Sequence, residues 1–196
     1  MSQEIEIEFK NMLSKSKYDE LLTTFDIKKE SIIRQENHYF DTADFQLKAI
    51  ASGLRIRILP HKIEFTLKER TADNQHIETT DLLTAEEASK MLHENHIPTG
   101  EVKERLVELN IDINSLTLFG SLTTDRAEMM YEGGLLVFDH SFYLQHEDYE
   151  VEYETADEIV GKNIFRQFLL KYNIPILHAP KKIARFAAAL AASQHE

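Results

Sequence analysis

The stretch that decides the fold is Glu4-Ile5-Glu6-Ile7-Glu8-Phe9-Lys10, near the start of the sequence. Charged and apolar residues alternate strictly along it, and a period of two predicts a β-strand whose successive side chains point to opposite faces. The glutamates and the lysine therefore share one face. Alternation is equally typical of an ordinary half-buried strand with one wet face, so both interpretations stay open at this point.

Later segments repeat this division into a charged face and an apolar face. The charged faces carry Arg55 and Arg57; Glu64, Thr66, Lys68 and Arg70; Thr124, Arg126 and Glu128; and Glu150, Glu152 and Glu154. Turn signals such as Pro60-His61, Asp73-Asn74 and Glu132-Gly133-Gly134 separate the strands and predict hairpins. The predicted strands cover residues 4–10, 32–40, 53–59, 62–71, 76–82, 115–131, 135–139 and 147–155.

Helical segments lie between and after these strands. A capping box at Thr84 and Glu87 opens a helix over 84–93. The other predicted helices cover 14–24, 101–109, 157–172 and 181–193, with a short turn over 46–51. We predict an α+β fold, a closed tunnel-like barrel of about eight antiparallel strands with helices packed outside, because such sheets close to avoid open edges. The charged faces would then line the inside; a half-open sheet with its charged face in water is the alternative.

Composition limits the chemistry that is possible. The chain has 196 residues and is expected to form a single domain over 1–196. It contains no Cys, so a metal must be held by carboxylates, His or carbonyls, and carboxylates favour hard ions such as Mg²⁺, Mn²⁺ or Ca²⁺. A net charge of -12 argues against a general nucleic-acid binder. The sequence has no signal-peptide pattern and no apolar stretch of about 20 residues, so we expect a cytoplasmic protein without membrane association.

An interior that holds many carboxylates and many cations is unfavourable unless water or a ligand fills it. Glutamates at alternating positions can converge on a hard cation, whereas Arg and Lys on facing strands can bind phosphate oxygens. Metal ions together with cationic groups are the usual means of polyphosphate chemistry. The pattern therefore favours a polyphosphate and metal site.

The sequence resembles the CYTH superfamily, also called triphosphate tunnel metalloenzymes. Its hallmark ExExK is matched by Glu6-Ile7-Glu8-Phe9-Lys10. Further matches follow in family order: Tyr39-Phe40-Asp41-Thr42, Leu54-Arg55-Ile56-Arg57, Phe65-Thr66-Leu67-Lys68, Arg126, Val137-Phe138-Asp139 and Tyr149-Glu150-Val151-Glu152. The family's C-terminal K-S-K is absent, and Pro180-Lys181-Lys182-Ile183-Ala184-Arg185 is the nearest segment. That departure leaves contact with the distal part of the substrate open.

The resemblance implies an eight-stranded tunnel, a small-molecule triphosphate substrate, and Mg²⁺ or Mn²⁺ as cofactor. The residues that it assigns to the metal are Glu6, Glu8, Asp139, Glu150 and Glu152, with Glu4, Glu78 and Glu154 as further possibilities. For Glu4, Glu78 and Glu154 the alternative is plain surface exposure, and for Asp139 it is the end of a hairpin. Substrate binding falls to Arg55, Arg57, Lys68 and Arg126, with Lys182 and Arg185 as candidates for the missing basic motif.

The resemblance assigns catalysis to Lys10 and Glu8, and Lys10 would bind substrate or position the attacking water. Cross-strand ion pairs between these cations and the acids are an alternative interpretation that is compatible with substrate binding. We expect hydrolysis of inorganic triphosphate, thiamine triphosphate or a nucleoside triphosphate. The alternatives are a nucleotidyl cyclase of the same fold, a non-catalytic polyphosphate or nucleotide sensor, and a structural barrel. The oligomeric state stays open.

Overall fold

A computed structural model describes residues 3–193. The strands are β1 (Gln3–Leu13), β2 (Ile33–Thr42), β3 (Gly53–Ile58), β4 (Ile63–Arg70), β5 (Gln75–Leu83), β6 (Leu116–Tyr131), β7 (Gly134–Tyr143) and β8 (His146–Thr155). The helices are α1 (Lys15–Thr24), α2 (Gln46–Ala49), α3 (Ala85–Glu94), α4 (Glu101–Glu108), α5 (Glu158–Lys171) and α6 (Lys182–Ser193).

The strands close into a barrel in the order β1-β5-β4-β3-β2-β6-β7-β8. This confirms the predicted α+β class, a closed antiparallel barrel with helices outside. By its contacts the chain divides into two compact units. The first unit comprises Glu36–Ser121 and the start of β1 through Ile5, and the second comprises Glu6–Gln35 and the chain from Leu122 onward.

In the first unit, the apolar faces of β3 and β4 form a core with α3 and α4. Ile56 and Phe65 lie opposite each other in the ladder and are fully buried, as are Met91 of α3 and Leu106 of α4. The predicted capping box is present at the start of α3, where the Thr84 side chain accepts from the Glu87 N–H and the Glu87 carboxylate accepts from the Thr84 N–H. The opposite strand face is left for polar and charged residues.

In the second unit, α1 and α5 cover the apolar faces of β1, β7 and β8. Buried residues of this core include Phe9, Phe138 and Val151 on the strands, Leu21 on α1 and Phe168 on α5. Period-two alternation aligns these strand residues, whereas the helical spacing of Phe165, Phe168, Leu169 and Tyr172 brings α5 onto them.

The chain between α5 and α6 is attached to β1 by Asn11. This buried side chain donates to the carbonyl of Pro175 over 2.9 Å and accepts from the N–H of Leu177 over 2.8 Å. The N–H of Met12 also donates to the Leu177 carbonyl over 3.2 Å. These contacts fix the point from which the chain enters α6. None of the helices in the described part of the chain has the length and apolar character that a membrane crossing requires.

The start of α4 offers a test of local packing. The Asp81 carboxylate accepts from the N–H groups of Glu101 and Val102, at 3.1 and 2.9 Å, and satisfies the helix N-terminus. A Cβ at Gly100 would overlap that carboxylate. We therefore expect Gly100→Ala to destabilise the protein by about 1–3 kcal/mol, the range for lost buried hydrogen bonds, as measured by chemical unfolding.

Gly53→Ala is the matched control for that substitution. Among the described residues, no heavy atom comes within 4 Å of a Cβ built there. Its free energy of unfolding should stay within about 0.5 kcal/mol of the parent protein. Equal stability of the two alanine variants would contradict the packing around Asp81.

Candidate active site

The ladder register of β1, β7 and β8 aligns the acidic residues of the second unit. Glu150 lies opposite Asp139 on β7, and Glu152 lies opposite Lys10 on β1. Glu154 lies opposite Glu8. Side chains directly opposite one another in a ladder share a face of the sheet. These residues therefore occupy one charged face, and the core described above occupies the other.

Asp139, Glu150 and Glu152 form a cluster that we call the carboxylate triad. Their exposed fractions are 0%, 1% and 3%, and each offers an oxygen within 4.8 Å of the others. Asp139 lies within β7, so the alternative that placed it at the end of a hairpin is wrong. Oxygen donors of this kind, buried and close together, suit a hard divalent cation such as Mg²⁺ or Mn²⁺.

Arg126 of β6 holds two members of the triad. Its Nε and Nη2 donate to the two oxygens of Asp139 at 2.8 and 2.6 Å, and Nη2 also donates to Glu152 Oε2 at 2.9 Å. Burial alone would raise the pKa of Asp139, but Arg126 and Lys182 outweigh it and hold that pKa well below its ordinary value. Asp139 therefore stays ionised at neutral pH.

Helix α6 contributes two further cations to the same face. Lys182 Nζ lies 2.8 Å from Asp139 Oδ2 and 3.0 Å from Glu152 Oε1, and it also contacts Glu150 Oε1. Arg185, one turn later, contacts Asp148 at 2.9 Å and Glu150 Oε2 at 2.5 Å. Burial lowers the pKa of Lys182, and Arg126 and Lys10 add to the lowering, whereas the Asp139 carboxylate opposes it.

Lys10 and Glu8 form the β1 side of this face. Lys10 Nζ lies 2.8 Å from Glu8 and 3.3 Å from Glu152. Burial lowers the pKa of Lys10, but Glu152 and Glu8 outweigh it and raise that pKa above its ordinary value. Lys10 therefore remains an ammonium over the physiological range. Glu8 is buried and Glu6 is half-buried.

Glu154 differs from Asp139 on this face because its pKa is raised rather than lowered. Burial is the main cause, the neighbouring Glu6 carboxylate adds to it, and Arg126 opposes it, with the result that the pKa rises to about 7. The side chain lies on the charged face and is half-buried, so plain surface exposure does not describe it.

The first unit carries its own group of cations around Glu78. Glu78 Oε1 lies 3.8 Å from Arg55 and 3.3 Å from Lys68, and Arg57 donates to the amide oxygen of Asn37 over 3.0 Å. Burial raises the pKa of Glu78, but Arg55, Lys68 and Arg57 lower it below its ordinary value. Glu78 is therefore an ionised partner of these cations, whereas Glu4 is exposed at the start of β1.

A family model described as the CYTH domain matches residues 4–187. The chain belongs to the CYTH family. This confirms the resemblance inferred from the ExExK strand and the motifs that follow it. The CYTH match extends from the first acidic strand into α6 and includes the carboxylate triad and all four cations that contact it.

Several known proteins are similar to this CYTH chain. "Putative triphosphatase YjbK" of Bacillus subtilis (strain 168) is 44% identical over 186 residues, which cover 95% of this chain and 96% of YjbK. A crystal structure from Bacillus halodurans, named a "putative adenylate cyclase", is 41% identical with a TM-score of 0.91, and the match covers 95% of this chain and 99% of that one.

A third similar structure is that of HpAC1 from Hippeastrum, named a "putative adenylyl cyclase" and described as having a dominant triphosphatase activity. It is 24% identical with a TM-score of 0.80, and the match covers 94% of this chain and 95% of HpAC1. At this level of identity the likeness shows the CYTH fold alone.

The sequence analysis did not predict Asp148 and Asn37 as residues of the charged faces. Asp148 contacts Arg185 and accepts from the Tyr143 hydroxyl at 2.7 Å, and Asn37 accepts from Arg57. The sequence carried a signal for Asp148, which precedes Glu150 by two residues, whereas Asn37 reaches the charged face through its place opposite Arg57 in the β2–β3 ladder. Extending the period of two along β8 would have placed Asp148 on the charged face.

The raised pKa of Glu154 makes stability depend on pH in the metal-free protein. A folded-state pKa of about 7, above the ordinary 4.5 of a glutamate carboxyl, gives stability that is fully present below pH 4.5 and is lost as pH rises through 7. Glu154→Gln removes that loss. We expect the variant to melt about 2–4 °C above the parent at pH 8 and much closer to it at pH 5, in calorimetry with a metal chelator. A difference in Tm that is equal at both pH values would contradict the burial of this carboxylate.

Proposed function

We propose that this protein is a metal-dependent hydrolase of a triphosphate-containing small molecule. The observation that carries the proposal is the buried carboxylate triad, which cations contact from β1, β6 and α6. Such a site combines oxygen ligands for a hard ion with positive groups for phosphate, the combination that phosphoryl transfer requires. The 44% identical relative that is named as a triphosphatase supports the same reaction.

The residues that would hold the ion are Asp139, Glu150 and Glu152, with Glu6 and Glu8 assigned to the same role. All are carboxylates, which favours Mg²⁺ or Mn²⁺ over softer ions. A bound divalent ion supplies charge neutralisation at phosphate oxygens and lowers the pKa of a coordinated water. The existing contact of three carboxylates with one ammonium indicates that the triad accepts a compact cation.

The cations of both units are assigned to phosphate oxygens. Arg126 presents a planar fork that matches two oxygens at once, and Arg55 and Arg57 have the same capacity. Lys10 and Lys68 act as compact point charges. Ion pairs with Glu78, Glu152 and Asp139 orient the side chains of Arg55, Lys68, Lys10 and Arg126 before substrate arrives. Arg57 is held by its hydrogen bond to Asn37.

The reaction that we propose is an in-line attack of water on a terminal phosphorus. The new bond forms between the water oxygen and phosphorus while the bond from phosphorus to the bridging oxygen breaks. The bridging oxygen leaves with the shortened polyphosphate, the attacked phosphorus leaves as hydrogen phosphate, and the water's other proton passes to solvent. Lys10 and Glu8, 2.8 Å apart, are assigned to positioning the water. Positive charge from Lys10 and Arg126 stabilises the charge that develops on the phosphate oxygens.

The proposal extends to the organisation and location of the protein. We propose that residues 1–196 work as one CYTH domain, since the family match spans both units. We also propose a cytoplasmic location. Inorganic triphosphate, thiamine triphosphate and nucleoside triphosphates are the substrates to be compared. Fractionation of the source cells, with antibody detection, would contradict the location if the protein appeared outside the cytoplasmic fraction.

Loss of one triad carboxylate tests the activity. We expect Glu152→Gln to lower kcat/KM for phosphate release in Mg²⁺ or Mn²⁺ by at least about 100-fold, since it removes an ion ligand and the partner of three cations. Glu20→Gln, at an exposed position on α1, is the matched control and should keep parental activity. Parental activity in the Glu152 variant would contradict the proposed site.

A nucleotidyl cyclase is the second candidate, because the 41% identical structure is named an adenylate cyclase. The two reactions differ in their products. Incubation of the protein with ATP and Mg²⁺ or Mn²⁺, followed by chromatography, should yield free phosphate and ADP. Cyclic AMP and diphosphate as the main products would contradict hydrolysis and establish the cyclase reaction.

A further inference from the structure

The ammonium of Lys182 lies among the three oxygens that a metal ion would need. It contacts Asp139, Glu150 and Glu152 together. The other cations behave differently: Arg126 reaches Asp139 and Glu152 but not Glu150, and Lys10 reaches Glu152 alone among the triad. Of the described cations, Lys182 is therefore the one that contacts all three members of the carboxylate triad.

We infer that Lys182 is a tethered competitor of the divalent ion, which must leave the triad when the ion binds and then becomes available to a phosphate oxygen. The inference deepens the proposed function and rests on it. Two cations that share the same buried oxygens repel each other strongly, because little water screens them. The ammonium and the ion therefore exchange, and Lys182 couples ion binding to triphosphate binding.

The structure around Lys182 allows this exchange without unfolding α6. Lys182 is the first residue of the helix, and its four-carbon stem permits its ammonium to move several ångströms. Arg185 keeps the helix attached through Asp148, Glu150 and the Pro180 carbonyl. The preceding segment is held on β1 by Asn11. A side-chain movement is therefore sufficient.

The first experiment measures ion affinity without substrate. Titration calorimetry with Mn²⁺ should show that Lys182→Met binds the ion at least about tenfold more tightly than the parent, equivalent to about 1.4 kcal/mol. Lys162→Met, at an exposed lysine of α5, is the matched control and should bind as the parent does. Mn²⁺ affinity in Lys182→Met that is equal to or weaker than the parental affinity would overturn the exchange.

The second experiment uses the parent protein and does not depend on how the variant folds. Lys182 should be slow to acetylate in the metal-free protein, because three carboxylates enclose its amine and restrict access of the reagent, and severalfold faster with saturating Mg²⁺. Mass spectrometry of peptides gives both rates, and Lys162 in the same digest is the internal control. An unchanged rate at Lys182 would overturn the exchange.

The outcomes distinguish a failure of the Lys182 exchange from a failure of the proposed hydrolase function. If the parent binds Mn²⁺ but Lys182→Met gains nothing, the exchange fails and the proposed hydrolase stands. If neither protein binds Mn²⁺, the metal site fails and the exchange fails with it. Triphosphate titrations add a third readout: Mn²⁺ should increase triphosphate affinity more in the parent than in Lys182→Met, and an equal increase would overturn the coupling.

Discussion

The constraint on which the second unit depends is the burial of three carboxylates side by side. Buried carboxylates are strongly unfavourable unless cations and hydrogen bonds compensate them. Here Arg126 and Lys182 reach Asp139, Lys10 reaches Glu152, and Arg185 reaches Glu150. The positions of β1, β6 and α6 are therefore tied to the same cluster. Charge compensation thus shapes the architecture and also leaves a cation-binding set of oxygens at its centre.

The site and the core are two consequences of one periodicity. Along β8, Glu150 and Glu152 alternate with Val151 and Tyr153, and the second pair is buried against α1 and α5. A slip of one residue in register would exchange the two faces, exposing aromatic side chains to the charges and placing carboxylates against the helices. The hydrophobic core therefore fixes the register on which the distances between carboxylates depend.

Much of this arrangement is predictable from sequence because it is local. Alternation predicts the strands, the Thr84 capping box predicts the start of α3, and motif order predicts the CYTH fold. The partners of Lys182 and Arg185 are different, since they depend on where α6 lies. Asn11, a residue distant in sequence, holds the segment that leads into α6, and no local pattern encodes that attachment. The sequence therefore offers Lys182 and Arg185 as candidates for the missing K-S-K motif but does not predict their contacts with the carboxylates.

An acidic protein that binds an anionic substrate must attract it by a local positive potential at the site, because its net charge is repulsive. With a net charge of -12, this chain repels triphosphate at long range, so attraction must come from cations concentrated on the charged faces. Those cations already form ion pairs with carboxylates. They can bind a phosphate only if another positive charge compensates the carboxylates that they leave. A divalent ion is such a partner. Under the proposed function, ion and triphosphate therefore favour each other's binding, because each satisfies the charges that the other leaves without a partner.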